Sequence, residues 1–339
     1  MNEPGFFDIN NRLEKLDKHN NPLPRINAMI EWESFRRIIE KSIKREAKGP
    51  GGRPRYDAIL MFKILILQRL YNISDQQMEY QITDRLSFSR FLGLKMEDTV
   101  PDQNTIWLFR ENLTRNKVIE RIFKKFDRVL EEKQMFVKEG SIIDAAIVEV
   151  PRQRNTPEEN HTIKEGQVPE EWKENPDKLR QKDTCARWVK KGGENYYGYK
   201  NHIKAGQKSK LIRKYRVSDA SVHDSQMAKE LIDANDNNKL LYGDSAYSTD
   251  EIRDIMSKRG ITDKINVKGC RYKKLTKLDR EKNRKRSKIR CRIEHIFGFM
   301  TQSMKGIYIR SIGKVRAAGI IGLMNLTYNF QRYIQLVRA

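Results

Sequence analysis

The sequence predicts an α/β domain preceded by an all-helical one. Three observations carry that reading. Up to about residue 137 apolar residues recur at helical spacing; at Ser141 the short, partly β-branched run "SIIDAAIVEV" breaks the texture; beyond it, strand-like and helix-like segments follow in the order βββαβαβ before two terminal helices. With 339 residues, 38% of them hydrophobic, the chain can bury a sizeable core, and its length suits two domains or one large domain with an accessory part.

Residues 26 to 47 form a charged, helix-compatible segment, and "GPGGRPR" after it reads as a linker or boundary. The helical patterns "YDAILMFKILILQRLYN", "SDQQMEYQIT" with its Ser-Asp cap, "PDQNTIWLFRENL" and "NKVIERIFKKFDRVLEEK" follow. The tight turn Tyr71-Asn72-Ile73 is compatible with a helix-turn-helix unit and equally with any small helical bundle. Residues 1–137 are therefore assigned DNA-end binding, dimerisation, or both. The second domain, 138–339, opens on the Ser141 strand and carries a polar insertion at about 151–195, rich in Asn, Glu and Pro. Next come the strands "YYGYKNHIKA" and "LIRKYRVSDA", joined by "GQKSK", and the helix "HDSQMAKELIDAN" with Asp224 as its natural N-cap. The strand "KLLYGD", the helix "STDEIRDIMSKRG" and the strand "ITDKINV" complete the alternation.

Charge narrows the partner. The chain carries 68 Lys and Arg against 45 Asp and Glu, a formal net charge of +23, which favours a polyanion over a small neutral substrate. Nucleic acid ranks ahead of an anionic membrane surface. The most apolar stretch, "AILMFKILILQRL", is too short for a membrane span and is interrupted by Lys63 and Arg69, and the N-terminus lacks the pattern of a secretion signal. A cytoplasmic, nucleoid-associated protein is expected. Cys185, Cys270 and Cys291 lack Cys-x-x-Cys spacing, so reduced, structural cysteines are expected.

The acidic residues carry the chemistry. Asp144 sits in a strand apolar on both faces, where an ionised carboxylate is unfavourable unless paired or bound to a metal. Asp244 follows "KLLYG" at the carboxyl end of a strand, where α/β sheets present ligand-binding residues, although Asp before a Ser-rich turn also serves as a cap. Glu294 borders the helical stripe Ile289, Ile293, Ile296, Met300 and Met304, a place from which it can lean over a sheet edge.

Strand Asp, strand-end Asp and helix Glu after a basic segment, in that order, resemble the DDE transposases with an RNase H-like catalytic domain, specifically the insertion-sequence-5 group. The words themselves are similar: "GRPRYDAILMFKILILQRLYNISDQQMEYQITDRLSFSRFLGL" and "PDQNTIWLFR" in the helical part, then "SIIDAAIVE", "YYGYKNHI", "YRVSDASVHDS", "LYGDSAYS" and "RIEHIFG". The resemblance runs from about Gly52 to the C-terminus, except for the polar stretch after Val150. It implies an RNase H-like fold, a mixed sheet flanked by helices, with Asp144, Asp244 and Glu294 as catalytic metal ligands. It further implies two Mg²⁺ ions, replaceable by Mn²⁺, one activating the attacking water or 3′-hydroxyl and the other stabilising the leaving oxygen. The expected partners are double-stranded DNA, as element ends and as target, and further copies of the chain in a homodimer or higher assembly; no membrane is involved.

The chain departs from the superfamily's pattern at one helix. Arg290 fills the usual arginine position four residues before the glutamate, but Thr301 stands where a lysine is usual and Ser287 where a tyrosine is. Lys305, four residues after Thr301, returns to nearly the same helix face, so it either replaces that lysine as a DNA contact or ends the helix, with Gly306 as the C-terminal stop. The run from Lys264 to Arg292 holds fourteen Lys or Arg against Asp279 and Glu281, so Lys282, Arg284, Lys285, Arg286 and Arg290 are candidate phosphate contacts. Lys200, in the aromatic-basic word "WVKKGGENYYGYKNH", is a further DNA-contact candidate. Two other readings stand beside the transposase: a non-catalytic DNA-binding protein descended from one, which three intact acids argue against, and a metal-dependent structure-specific nuclease.

Overall fold

The computed structural model describes residues 8–19, 21–43, 54–136, 139–269, 274–306 and 308–337, so Cys270 and most of "GPGGRPR" lie outside the described residues. The chain divides into two compact units, Met1–Lys125 with Leu326–Ala339, and Phe126–Asn325.

In the first unit, caps and apolar spacing set the helices: α1 (Asp8–Lys18), α2 (Leu23–Met29), α3 (Glu33–Ile43), α4 (Ala58–Tyr71), α5 (Asp75–Asp84), α6 (Leu86–Leu92) and α7 (Gln103–Arg115), with the start of α8 (Val118–Glu132). Asp57 caps α4 by accepting from the Ile59 and Leu60 amides, Ser74 caps α5 and Asp102 caps α7, each supplying an acceptor to otherwise unpaired first-turn N–H groups. Asn72 ends α4 in the left-handed conformation, which lets α5 begin only three residues later. α4 is buried almost all round, and Phe62, Ile64, Leu65 and Leu67 are inaccessible to solvent. Trp32 meets Phe62, Phe91 and Phe330 edge-on at 5.6 to 6.0 Å, so the end of the C-terminal helix α16 (Lys314–Leu336) packs in this aromatic core.

The second unit is built on six strands, β1 (Ser141–Glu149), β2 (Arg187–Lys191), β3 (Glu194–Gly206), β4 (Ile212–Asp219), β5 (Leu240–Gly243) and β6 (Thr262–Ile265). β1 lies between antiparallel β3 and parallel β5; β6 extends the parallel side, while β4 and the short β2 both pair with β3. Helices α12 (Asp224–Leu231) and α13 (Asp250–Lys258) cover one face, burying Ile143, Leu231, Leu241, Ile252, Met256 and Ile265. Each such side chain removed from water contributes roughly 1.5–3 kcal/mol. Three antiparallel strands continued by two parallel ones, in a mixed curled sheet flanked by helices, make this unit RNase H-like. Two further helices, α14 (Lys277–Arg290) and α15 (Glu294–Gln302), follow the sheet. Among the described residues, no helix is long and apolar enough to cross a membrane, and Cys185 and Cys291 are free thiols.

One local reading gains detail and one needs correction. The polar stretch 151–195 holds α9 (Pro157–Lys164), α10 (Glu170–Glu174), α11 (Pro176–Arg180) and β2. These helices are too short for a periodic signal and are set by a Thr156/Glu159 capping box and by the buried side chains Ile163 and Trp172, the Trp172 indole N–H donating to Glu159 at 2.6 Å. The N-cap of α12 is His223, not Asp224; the imidazole Nδ1 accepts from the Ser225 amide, and Asp224 is the first helical residue.

Candidate active site

The register of the central strands places the acids. β1 and β5 run parallel with Ser141 opposite Leu241 and Ile142 opposite Tyr242; continued by two residues, this sets Asp144 level with Asp244, just past the end of β5. Gly243 allows close packing there, since a Cβ would meet Tyr247 Cδ2 at 3.2 Å and Ile143 Cγ1 at 3.3 Å. The turn that follows is capped by Asp244 itself, whose Oδ1 accepts from the Ala246 amide at 2.8 Å. The cap role and the site role thus coexist in one carboxylate.

Asp144 is held in the same manner. Its Oδ1 accepts from its neighbour's amide, Ala145 N, at 2.8 Å, and its Oδ2 accepts from Arg290 at 3.2 Å. Burial pushes the Asp144 carboxyl up to about 6, and the like charge of Asp244 adds to the rise, against the lowering effects of the Ala145 amide, Arg290 and Lys191. Beneath the pair, Tyr247 is inaccessible to solvent, and its hydroxyl has no hydrogen-bond partner among the described residues. Burial, then the charges of Asp144, Asp224 and Asp244, raise its phenol far above the usual range.

Glu294 begins α15, directly after a 3₁₀ turn at Cys291–Ile293 that joins it to α14. Ile293, Ile296, Met300 and Met304 are buried as the stripe predicted, Ile289 on α14 is only half-buried, and the Glu294 side chain is 58% exposed. Arg290 links it to the strands: one guanidinium nitrogen meets Asp144 and the other meets Glu294 Oε1 at 2.8 Å. Asp144 and Glu294 are therefore neighbours through one arginine, and Asp244 joins them through the β1–β5 register. Among the described residues, no three His, Cys, Asp or Glu side chains are gathered as a ready metal cage.

Residues 135–330 match the transposase DDE domain family, and residues 11–112 match a transposase domain family, DUF772. The chain belongs to the transposase DDE domain family. No solved structure matches it.

The basic residues of this transposase-family chain divide sharply. Lys282, Arg284 and Lys285 are exposed on α14, a helix in which no residue is buried. Arg286, on the same helix, is half-buried and donates to the Ile265 carbonyl at the end of β6, so it ties α14 to the sheet. Lys200 is the clear correction. Its side chain is only 10% exposed, and its ammonium donates to the Val222 carbonyl at 2.7 Å and pairs with Asp224 at 2.9 Å, so it holds the start of α12 and offers no free charge to DNA. Of the two readings of Lys305, the structure departs from the helix-face one. α15 stops at Gln302, and Lys305 and Gly306 both take left-handed backbone, so the helix-face argument relating Lys305 to Thr301 does not hold. Ser287, at the tyrosine position, accepts from Asn266 at 3.1 Å.

Two residues near the acids escaped the sequence reading. Tyr247 lies in the word "LYGDSAYS", but nothing in the pattern distinguishes a tyrosine under a metal-type site from one in any core. Lys191, at the end of β2, stands close enough for its charge to act on Asp144, 47 residues away in sequence.

Proposed function

We propose that this protein is a DNA transposase of the insertion-sequence-5 group that cuts at the ends of its element and joins them to target DNA. Asp144, Asp244 and Glu294 are its catalytic residues. The observation that carries the reading is the placing of two partly buried carboxylates level on neighbouring strands, with a third acid joined to Asp144 by Arg290.

The donor set fits divalent metal. Three carboxylates against one guanidinium leave negative charge in excess, Asp144 and Asp244 raise each other's energy when both are ionised, and hard oxygen donors suit Mg²⁺ or Mn²⁺. Two such ions, when bound, would supply Lewis-acid activation of an attacking oxygen and stabilisation of a leaving one. The chain's own residues do the rest. The β1 and β5 backbones fix Asp144 and Asp244, α15 presents Glu294 from the side, and Lys282, Arg284 and Lys285 draw the phosphate backbone along α14. The helical N-terminal part, 1–137, binds element ends or joins copies of the chain, which acts as a homodimer or larger assembly on DNA.

The experiment is an end-joining assay with the full chain, Mg²⁺, duplexes carrying the element's terminal repeats and a target plasmid. Joined products that require those repeats are expected. DNA bound but never cut, in Mg²⁺ or in Mn²⁺, would support the non-catalytic reading instead. Cutting without joining or preference for the repeats would support a nuclease.

A further inference from the structure

The acidic site carries its own cation. We propose that Arg290 is a displaceable counter-ion: in the DNA-free protein its guanidinium occupies carboxylate oxygens of Asp144 and Glu294 that divalent cations need, and a DNA phosphate draws it away. The proposal rests on the reading of Asp144, Asp244 and Glu294 as metal ligands.

Geometry points to an exchange and not to a permanent clamp. The guanidinium does not form the two-pronged pairing with a single acid that is arginine's strongest arrangement; it spans two acids, at 3.2 Å from Asp144 Oδ2 and 2.8 Å from Glu294 Oε1. Its third donor, Nε, is buried and has no hydrogen-bond partner among the described residues. A buried, charged donor left unpaired is unfavourable, so another acceptor would satisfy Arg290 better than the two acids do. The fork of N–H groups matches a phosphate, and the exposed Lys282, Arg284 and Lys285 lie upstream on the same helix, so a strand tracked along α14 arrives at Arg290. One positive charge also cannot neutralise three acids, so a divalent cation suits the group better once the arginine has left. Metal and DNA then bind cooperatively: each helps release the residue that blocks the other, and by linkage the help is mutual. A transposase built this way holds metal weakly until DNA is in place.

The test measures Mn²⁺ affinity of the full-length protein by calorimetry. Wild type and Arg290→Gln are compared with and without a short duplex of unrelated sequence, after subtraction of the duplex's own Mn²⁺ binding. Without DNA, Arg290→Gln is expected to bind Mn²⁺ about tenfold more tightly than wild type. DNA is expected to tighten Mn²⁺ binding by roughly 5–150-fold in wild type and far less in Arg290→Gln. Equal or weaker binding by Arg290→Gln, or the same DNA effect in both proteins, would overturn the proposal. Should Arg290→Gln lose its melting transition, Arg290→Lys serves, because a point charge cannot bridge both acids: partial tightening is expected, and unchanged affinity counts against the idea. Asp144→Asn and Asp244→Asn separate the layers. If they leave wild-type Mn²⁺ affinity unchanged, the metal-ligand reading fails; if they abolish binding while Arg290→Gln fails to tighten it, only the exchange fails.

Discussion

Two acids of the site are held by strands and one by a helix, and the two kinds of support differ in almost every respect. Asp144 and Asp244 are partly buried, and each has one oxygen fixed by a backbone amide one or two residues on. Glu294 is 58% exposed, and its side-chain bond among the described residues runs to Arg290, four residues back on a basic segment. Strand support fixes position at the expense of solvation, as the raised pKa of Asp144 records. Helix support leaves the third acid free to adjust. The lesson is that the strand pair defines the site and the helix completes it.

Substitution can break that comparison most forcefully. Asp144→Ala and Asp244→Ala are expected to reduce metal-dependent strand cleavage on the order of 10³-fold or more, about 4 kcal/mol of transition-state stabilisation, with no loss of DNA affinity in gel-shift titrations. Glu294→Ala should be comparably severe. The conservative changes separate the supports: Glu294→Asp should keep more cleavage than Asp144→Glu, because an exposed helix side chain can shift while a partly buried strand side chain has no room to lengthen. Equal losses from the two conservative changes would erase the distinction.

The basic helix gives the next effect in size. Neutralising Lys282, Arg284 and Lys285 together should weaken binding to every DNA sequence and reduce the slope of log affinity against log salt by about 0.9 per contact, roughly 2 to 3 units in all. Arg286→Gln, by contrast, should lower the melting temperature and leave the slope alone, since that guanidinium is bonded to the Ile265 carbonyl. An unchanged slope in the triple variant would make α14 merely a solvated helix.

The central strand makes a pH prediction. His202 on β3 is inaccessible to solvent, and burial pushes its imidazole down to about 4. The folded chain therefore keeps His202 neutral at pH values where the unfolded chain, near 6.5, takes up a proton. Stability from this residue is complete above about pH 6.5 and is lost as pH falls towards 4, by roughly 3 kcal/mol. Urea titrations of His202→Asn should show a flatter acid limb than wild type; identical limbs would show that the imidazole is charged or hydrated in place. The smallest effect belongs to Lys305. Lys305→Gly should leave cleavage unchanged and raise the melting temperature slightly, because left-handed backbone is disfavoured for lysine by roughly 1 kcal/mol.

The strands and their acids were legible because a carboxylate in an apolar run is a costly placement that few purposes justify. Asp144 announced itself, and Asp244 gained meaning from its strand end. Apart from the polar stretch that holds β2, the alternation of elements from β1 to β6 was legible too, since period and turn chemistry are local. What escaped was non-local. β3 reads as a half-exposed strand because Lys200, Asn201, His202 and Lys204 are polar, yet all four are buried. Lys200 is matched by Asp224, Asn201 by Asn325 and Lys204 by Asp236, partners from 24 to 124 residues away that no window of sequence can join. The helices of the insertion were missed because α10 and α11 have five residues each, below the length at which periodicity speaks. Lys305 was misplaced because helical arithmetic continues on paper past the point where the chain leaves the helix.

The most direct test of the shared site is to map the metal on the protein itself. With Fe²⁺ in place of Mg²⁺, ascorbate and peroxide generate radicals that cut the polypeptide only near the bound ion. The account predicts cuts close to Asp144, Asp244 and Glu294 together, suppressed by excess Mg²⁺ and lost in the Asp144→Asn, Asp244→Asn double variant. Cuts confined elsewhere in the chain, or cuts that persist in the double variant, would contradict it.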